Sequence, residues 1–288
     1  MGLDSTLNTS QLRRELALRN RRWACGRLHG ESYGGDPVVV YAPEDDNAST
    51  GVLHSTPCHG NFFDPAYAAI LSRPAWMKRF NKVHPLARRS LPKLTADPAR
   101  RWRELDSCMS SDALLMNIFC YRRRVDSVAL SSILGVRPGL MPVFGFRPRI
   151  PLHNGKIDRT EVDMKLGEVM VEAKLTETDF QSAPWRMIER YRDINEIFDP
   201  EALRQSGNVV RSYQLVRGVL AAHSTDGSFC VICDARRPDL IESWYSVMCA
   251  VRSCVLRCRL QLLTWQELTV LLPRSLQQFL AVKYGITC

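Results

Sequence analysis

Apolar and polar residues alternate through residues 161–166 and again through 169–175, and Gly167-Glu168 separates the two runs. This is the pattern of a half-buried β-hairpin. Val162, Met164 and Leu166 take one face of the first strand, with Glu161, Asp163 and Lys165 on the other. On the second strand Val169, Val171, Ala173 and Leu175 oppose Met170, Glu172 and Lys174. A two-residue turn with Gly first favours type II′, and it sets the register: Asp163 lies across from Glu172, and Glu161 across from Lys174. Facing side chains in such a ladder have Cβ atoms about 4.5–5.5 Å apart, and like charges there are destabilising. Two facing carboxylates with a lysine beside them do little to stabilise a sheet. A divalent cation between the carboxylates accounts for them.

Elsewhere the spacing shifts to the 3.6 period of helices. Leu114, Leu115, Ile118 and Phe119 make an apolar stripe within 110–121, with Ser110 or Ser111 as cap. Residues 12–26 predict a short basic helix capped by Ser10, and 64–71 and 75–80 two short helices. The stretch 29–60, rich in Gly, Pro, Asp and Ser, reads as irregular apart from a strand at 38–41. A connector over 135–150 contains a strand at 143–146. Beyond the hairpin the pattern predicts helices at 184–198 and 208–222, a strand at 229–234 and a helix at 243–252. A strand within 254–263 and a last helix at 264–272 follow, where Thr264 and Glu267 fit a capping box. From residue 105 onward this order predicts an α/β fold with a mixed central sheet. Residues 1–104 form a separate basic region, mostly helical or irregular.

Composition leaves the class broad. The 288 residues are 45% hydrophobic and 24% charged, as in globular proteins. No run nears the roughly 18 apolar residues of a membrane span. The N-terminus lacks an apolar signal core, so a cytoplasmic location is expected. Ten cysteines are then expected to stay reduced. Cys230-x-x-Cys233 and Cys254-x-x-x-Cys258 invite a zinc reading, but 229–234 reads as a strand, where residues three apart face opposite sides. Buried structural thiols are the simpler reading.

Charge changes the picture more. Residues 1–149 hold 22 Lys and Arg against 13 Asp and Glu, whereas 150–288 hold 17 of each. Residues 78–103 alone carry nine basic residues and one acid, Asp97. That asymmetry points to a polyanion, and nucleic acid is the obvious one. Arg88, Arg89 and Lys93 are the candidate phosphate contacts, against the alternative of a solvated basic surface.

Asp163, eight intervening residues and Glu172-Ala173-Lys174 resemble the core motif of the PD-(D/E)xK nuclease superfamily, the restriction-endonuclease-like proteins. The resemblance covers roughly residues 105–265 and implies a three-layer α/β/α sandwich. It implies Mg²⁺, with Mn²⁺ as a substitute, held by Asp163, Glu172 and the carbonyl of Ala173. It makes Lys174 the catalytic lysine that orients or activates water, and phosphodiester hydrolysis the reaction. Gln214 resembles the glutamine on the helix after the motif in many superfamily members. Arg217 shares its face three residues on, so both are candidates to address water, metal or phosphate, or else lie on a solvated helix edge. Asp112 is either the further acid that the preceding helix often supplies as a metal ligand, or a first-turn acid favoured by the helix dipole. The segment 110–119 also resembles a helix of prokaryotic members. Glu161 reads as a partner of Lys174, or a third ligand. Val162 replaces the proline of the superfamily's name.

DNA is the expected substrate, with RNA open. Enzymes that cut both strands often dimerise, so a homodimer is one expectation. A non-catalytic nucleic-acid-binding protein on the same fold is the alternative, although such a module has no use for facing carboxylates. A Cys-His hydrolase built on Cys58 and His59 is a weaker rival, since adjacent loop residues make no catalytic pair by themselves.

Overall fold

A computed structural model of the chain describes residues 6–25, 31–33, 36–38, 59–82, 103–121, 127–203 and 208–287. The chain forms two compact units. One comprises Met1–Thr9 and Ser131–Leu268, the other Ser10–Leu130 and Thr269–Cys288. Residue 104, expected as a boundary, therefore lies inside the second unit, which also takes back the C-terminal segment.

Strands are numbered along the chain. β1 (Glu31–Tyr33) and β2 (Asp36–Val38) pair antiparallel. β3 (Val143–Phe146), β6 (Val162–Leu166), β7 (Val169–Ala173), β10 (Ser228–Cys233) and β11 (Leu260–Thr264) form one five-stranded sheet in the order β11-β10-β7-β6-β3. β11, β10 and β7 run parallel, while β7, β6 and β3 are antiparallel. This is the mixed α/β fold expected. Two short ribbons accompany it: β4 (Ile150–Pro151) with β5 (Ile157–Asp158), and β8 (Ala183–Pro184) with β9 (Val209–Val210).

The hairpin has the expected register, Leu166↔Val169, Lys165↔Met170 and Met164↔Val171. Gly167 has φ +57° and Glu168 is not among the positive-φ residues, as a type II′ turn requires. β6 alternates buried and half-buried positions, but β7 is buried at every position. The half-buried expectation fails for β7, the middle strand of the sheet, whose two faces are both covered. β10, Ser-Phe-Cys-Val-Ile-Cys, is almost wholly apolar and buried, as an inner parallel strand is.

Helices follow their caps. Ser110 accepts the Ala113 N–H and starts Ser111–Phe119. Thr264 Oγ1 and the Glu267 carboxylate cap each other's N–H groups at the start of Trp265–Val270. The helix expected over 243–252 runs instead from Pro238 to Ala250, and two further expectations change. The helix expected over 184–198 is two single turns, Trp185–Ile188 and Ile194–Ile197, because Tyr191 between them bridges to Leu152. The helix expected from 208 starts at Tyr213, after β9. A final helix, Arg274–Tyr284, went unforeseen, although Pro273 before it and Gly285 in the left-handed region after it are ordinary punctuation.

The core of the sheet unit gathers Val162, Met170, Phe180, Tyr191, Val216, Phe229 and Trp244, all buried. In the second unit Leu16, Phe62, Phe80, Leu114 and Leu276 are buried. No helix among the described residues is long and apolar enough to cross a membrane.

Candidate active site

Carried one rung past Met164↔Val171, the hairpin register sets Asp163 opposite Glu172. The ladder itself stops there. In an alternating antiparallel ladder the next bonded rung would pair Val162 with Ala173. Instead the Ala173 N–H donates to Asp163 Oδ2 at 2.8 Å. The other neighbour of β6 lets go at the same place. β3 pairs through Val143↔Lys165, Phe144↔Met164 and Phe146↔Val162, leaving out the rung Gly145↔Asp163. Gly145 has φ +64°, and a Cβ there would lie 3.2 Å from the Glu161 carboxyl carbon. Asp163 is thus released on both sides, a local break of the kind found beside active sites.

Glu172 in β7 and Lys174 just past its end stand two residues apart, both buried. Lys174 Nζ donates to Glu172 Oε1 at 2.8 Å. Gln214 Nε2 donates to the same oxygen at 2.8 Å. Glu172 Oε2 accepts no hydrogen bond from the described residues. Gln214 Oε1 is buried without a hydrogen-bond partner. Burial opposes the charge on Lys174, but Glu172, Glu177 and Asp163 outweigh it and hold its pKa above the ordinary lysine value. Its backbone is gripped too: the Lys174 N–H donates to Ile232 O at 2.8 Å, and Trp265 Nε1 donates to Lys174 O at 2.8 Å. Sequence reading missed Trp265, whose only signal was its place just after β11.

Gln214 is aimed by an unusual helix start. Ser212 sits in the left-handed region (φ 58°), as does Gln181 (φ 61°). The N–H groups of Tyr213 and Gln214 donate to the carbonyls of Gln181 and Phe180. Behind them Tyr191 donates to Asp158 Oδ2 at 2.5 Å, and the hydroxyls of Tyr191 and Tyr213 lie 2.7 Å apart. Burial and these bonds push the Tyr191 phenol up. Arg217, one turn on, donates to Glu161 O at 3.2 Å and lies over the Tyr213 ring. Gln214 and Arg217 therefore both face the hairpin.

Glu161 is not the partner of Lys174. Its carboxylate lies 3.6 Å from Arg147, and Lys174 takes Glu172 instead. Asp112 belongs to the second unit, ion-paired with Arg79. Burial lifts its carboxyl to about 6 despite Arg79, with Glu104 adding to the rise. His59, in that unit, is 3.0 Å from Asp106 through Nε2, and its Nδ1 accepts the Asn61 N–H. Burial lowers its pKa, against the pull of Asp106. Cys58 lies outside the described residues, as do Arg88, Arg89 and Lys93. Cys230 and Cys233 are buried in β10, and burial pushes both thiols up, Cys233 to about 12.

The donors suit a hard divalent ion. Asp163 and Glu172 offer carboxylates, and the Ala173 carbonyl points to the same side of its strand as the N–H that meets Asp163. Among the described residues no cluster of three His, Cys, Asp or Glu side chains is arranged to hold a metal. An ion here would keep several waters, which is the habit of Mg²⁺ rather than Zn²⁺.

The five-stranded mixed sheet with its flanking helices is consistent with a restriction-endonuclease-like fold. The chain matches, over residues 18–285, the family described as restriction endonuclease associating with ARP, and it belongs to that family. The family suggests a nuclease and implies a nucleic-acid substrate. The match starts far upstream of residue 105, so most of both units is family sequence. No curated protein and no solved structure matches.

Proposed function

We propose that the protein is a Mg²⁺-dependent nuclease, with Mn²⁺ as a substitute ion, that hydrolyses phosphodiester bonds of DNA. The observation that carries this reading is the convergence of Asp163, Glu172, Lys174 and Gln214 where β6 and β7 part. Asp163, Glu172 and the Ala173 carbonyl would hold the ion. When bound, Mg²⁺ supplies positive charge to the scissile phosphate and makes water more acidic.

The chain's own groups do the rest. A lysine whose pKa is raised stays protonated at neutral pH, so Lys174 serves as a cation and donor rather than as a base. It stabilises charge growing on the phosphate and orients water. Gln214 fixes the Glu172 carboxylate through its amide N–H, and its buried carbonyl remains to accept a hydrogen from water. Water adds to phosphorus as the bond to the leaving sugar oxygen breaks, and the proton that this water releases to solvent is matched by one that solvent gives to the leaving oxygen.

Linear, closed-circular and single-stranded DNA incubated with Mg²⁺ or Mn²⁺ tests this. Wild type should cut, and Asp163→Ala should lose at least about 10³-fold in rate, the upper range for removing one electrostatic contact. Excess chelator should stop cleavage and leave the fold intact. Cutting in chelator, or equal cutting by Asp163→Ala, refutes the mechanism. DNA binding without cleavage under every condition favours the binding-protein alternative.

A further inference from the structure

The β4–β5 ribbon carries a second electrostatic oddity. Its register is Ile150↔Asp158 and Pro151↔Ile157. Carried one residue outward, that register sets Arg149 against Arg159. Like charges facing across an antiparallel pair are destabilising, so sheet stability does not account for them. Both are exposed, and neither has a carboxylate partner among the described residues. Lys156 near the tip is exposed and equally unpaired. Arg147 is 68% exposed and reaches Glu161 only at 3.6 Å. The acid of the ribbon is already spent, since Asp158 binds Thr160 and Tyr191. Residues 147–159 thus hold four basic residues and that one acid. Arg190 joins them, because the His153 N–H donates to its carbonyl, and its guanidinium reaches only Met187 Sδ.

This patch sits next to the candidate site along the chain. Arg159 is four residues before Asp163, a span of about 13 Å in extended chain. One strand of DNA carries a phosphate per 3.4 Å of axis, so that span is about four nucleotides of rise. We infer that the β4–β5 ribbon grips the DNA backbone beside the cleaved bond, with Arg149 and Arg159 each on a phosphate. Facing arginines are unfavourable when free and favourable when each meets a phosphate, the mirror of facing carboxylates neutralised by a cation. Exposed guanidiniums also bind phosphate in a fork that lysine cannot copy. The inference rests on the nuclease reading for its substrate, but its test is separate.

Binding of labelled duplex DNA is measured against salt concentration, without metal so that nothing is cut. Wild type is compared with Arg149→Gln, Arg159→Gln, the double variant, and Arg257→Gln as a distant exposed control. Each ribbon variant should lower the slope of log K against log salt by about 1, and the double by about 2. With Mg²⁺, their cleavage should fall through KM rather than kcat. An unchanged slope overturns the inference even if the enzyme cuts, and so does wild type that binds no DNA. An arginine-dependent slope in a protein that never cuts supports the ribbon and refutes the nuclease. The same dependence with RNA but not DNA overturns the choice of DNA.

Discussion

Glu172–Lys174 in one unit and Asp112–Arg79 in the other are both buried carboxylate–cation pairs, and by composition the two look alike. Glu172 and Lys174 are 3% and 5% exposed, Asp112 and Arg79 6% and 7%. Each also leaves an oxygen unpaired, Gln214 Oε1 beside the first pair and Asp112 Oδ1 in the second. Burial and an orphan atom therefore do not separate a reactive site from a strut. The backbone does. Glu172–Lys174 lies where β6 has let go of both neighbours, so an acid, an amide and a carbonyl reach one spot from three elements. Asp112–Arg79 ties two helices together within one unit. The cations differ as well. Lys174 is surrounded by Glu172, Glu177 and Asp163, whereas Arg79 faces one carboxyl that burial, and after it Glu104, holds above its ordinary pKa.

The contrast is tested first by breaking both pairs. Asp112→Ala should destabilise the protein by about 3–5 kcal/mol, since it strands a buried guanidinium. Mn²⁺ affinity should not change. Glu172→Gln should cost less stability, because Lys174 keeps two other carboxylates, yet it should weaken Mn²⁺ binding. Urea unfolding and Mn²⁺ titration read both. Weaker Mn²⁺ binding by Asp112→Ala, with the fold intact, would make Asp112 a ligand and collapse the distinction. A pH series sharpens it. The folded-state pKa of Asp112, about 6, exceeds the ordinary 3.8. Its contribution to stability is therefore full below about pH 4 and is lost as pH rises through 6. The advantage of wild type over Asp112→Asn should shrink across that window; a constant gap would remove Asp112 from the titration.

Next comes the cation. Lys174→Ala should lower turnover by about 10²–10³-fold, the range for removing one transition-state donor, while DNA binding persists. Because Lys174 stays protonated, wild-type activity should show no rising limb from its deprotonation between pH 6 and 9. Turnover that rises through that range with a lysine-dependent limb would make it a base.

The hairpin was legible because strand alternation and turn chemistry act over a few residues. Period two and Gly167 gave the turn and the register up to Met164↔Val171 directly. Gln214 was legible by its place on the next helix, although β9 and the left-handed Ser212 shift that helix start to Tyr213. What stayed hidden depends on contacts far apart in sequence. Lys174 takes Glu172 rather than Glu161, whose carboxylate lies instead beside Gly145 of β3 and Arg147. Asp112 fits a helix first turn and a metal site equally well until Arg79, thirty-three residues earlier, is seen against it. The C-terminal helix rejoins a unit begun by residue 10, which no local pattern announces.

Gly145 gives the smallest but most discriminating test. A side chain there is strained by φ +64° and meets the Glu161 carboxyl, at about 1–2 kcal/mol for the backbone alone. If the left-out rung at Gly145 is what frees Asp163, Gly145→Ala should do more than lower stability. Relief of the strain toward a regular strand would restore the pairing with Asp163 and turn its carboxylate from the ion. Mn²⁺ affinity should then weaken by about 10-fold, the lower range for losing a group that orients a ligand. Gly167→Ala is the matched control, with φ +57° and a clash with Leu140, but at the far end of the hairpin. It should lower stability comparably and leave Mn²⁺ affinity unchanged. Equal affinity losses in the two variants would reduce Gly145 to a fold residue, and the opening at Asp163 would need another cause.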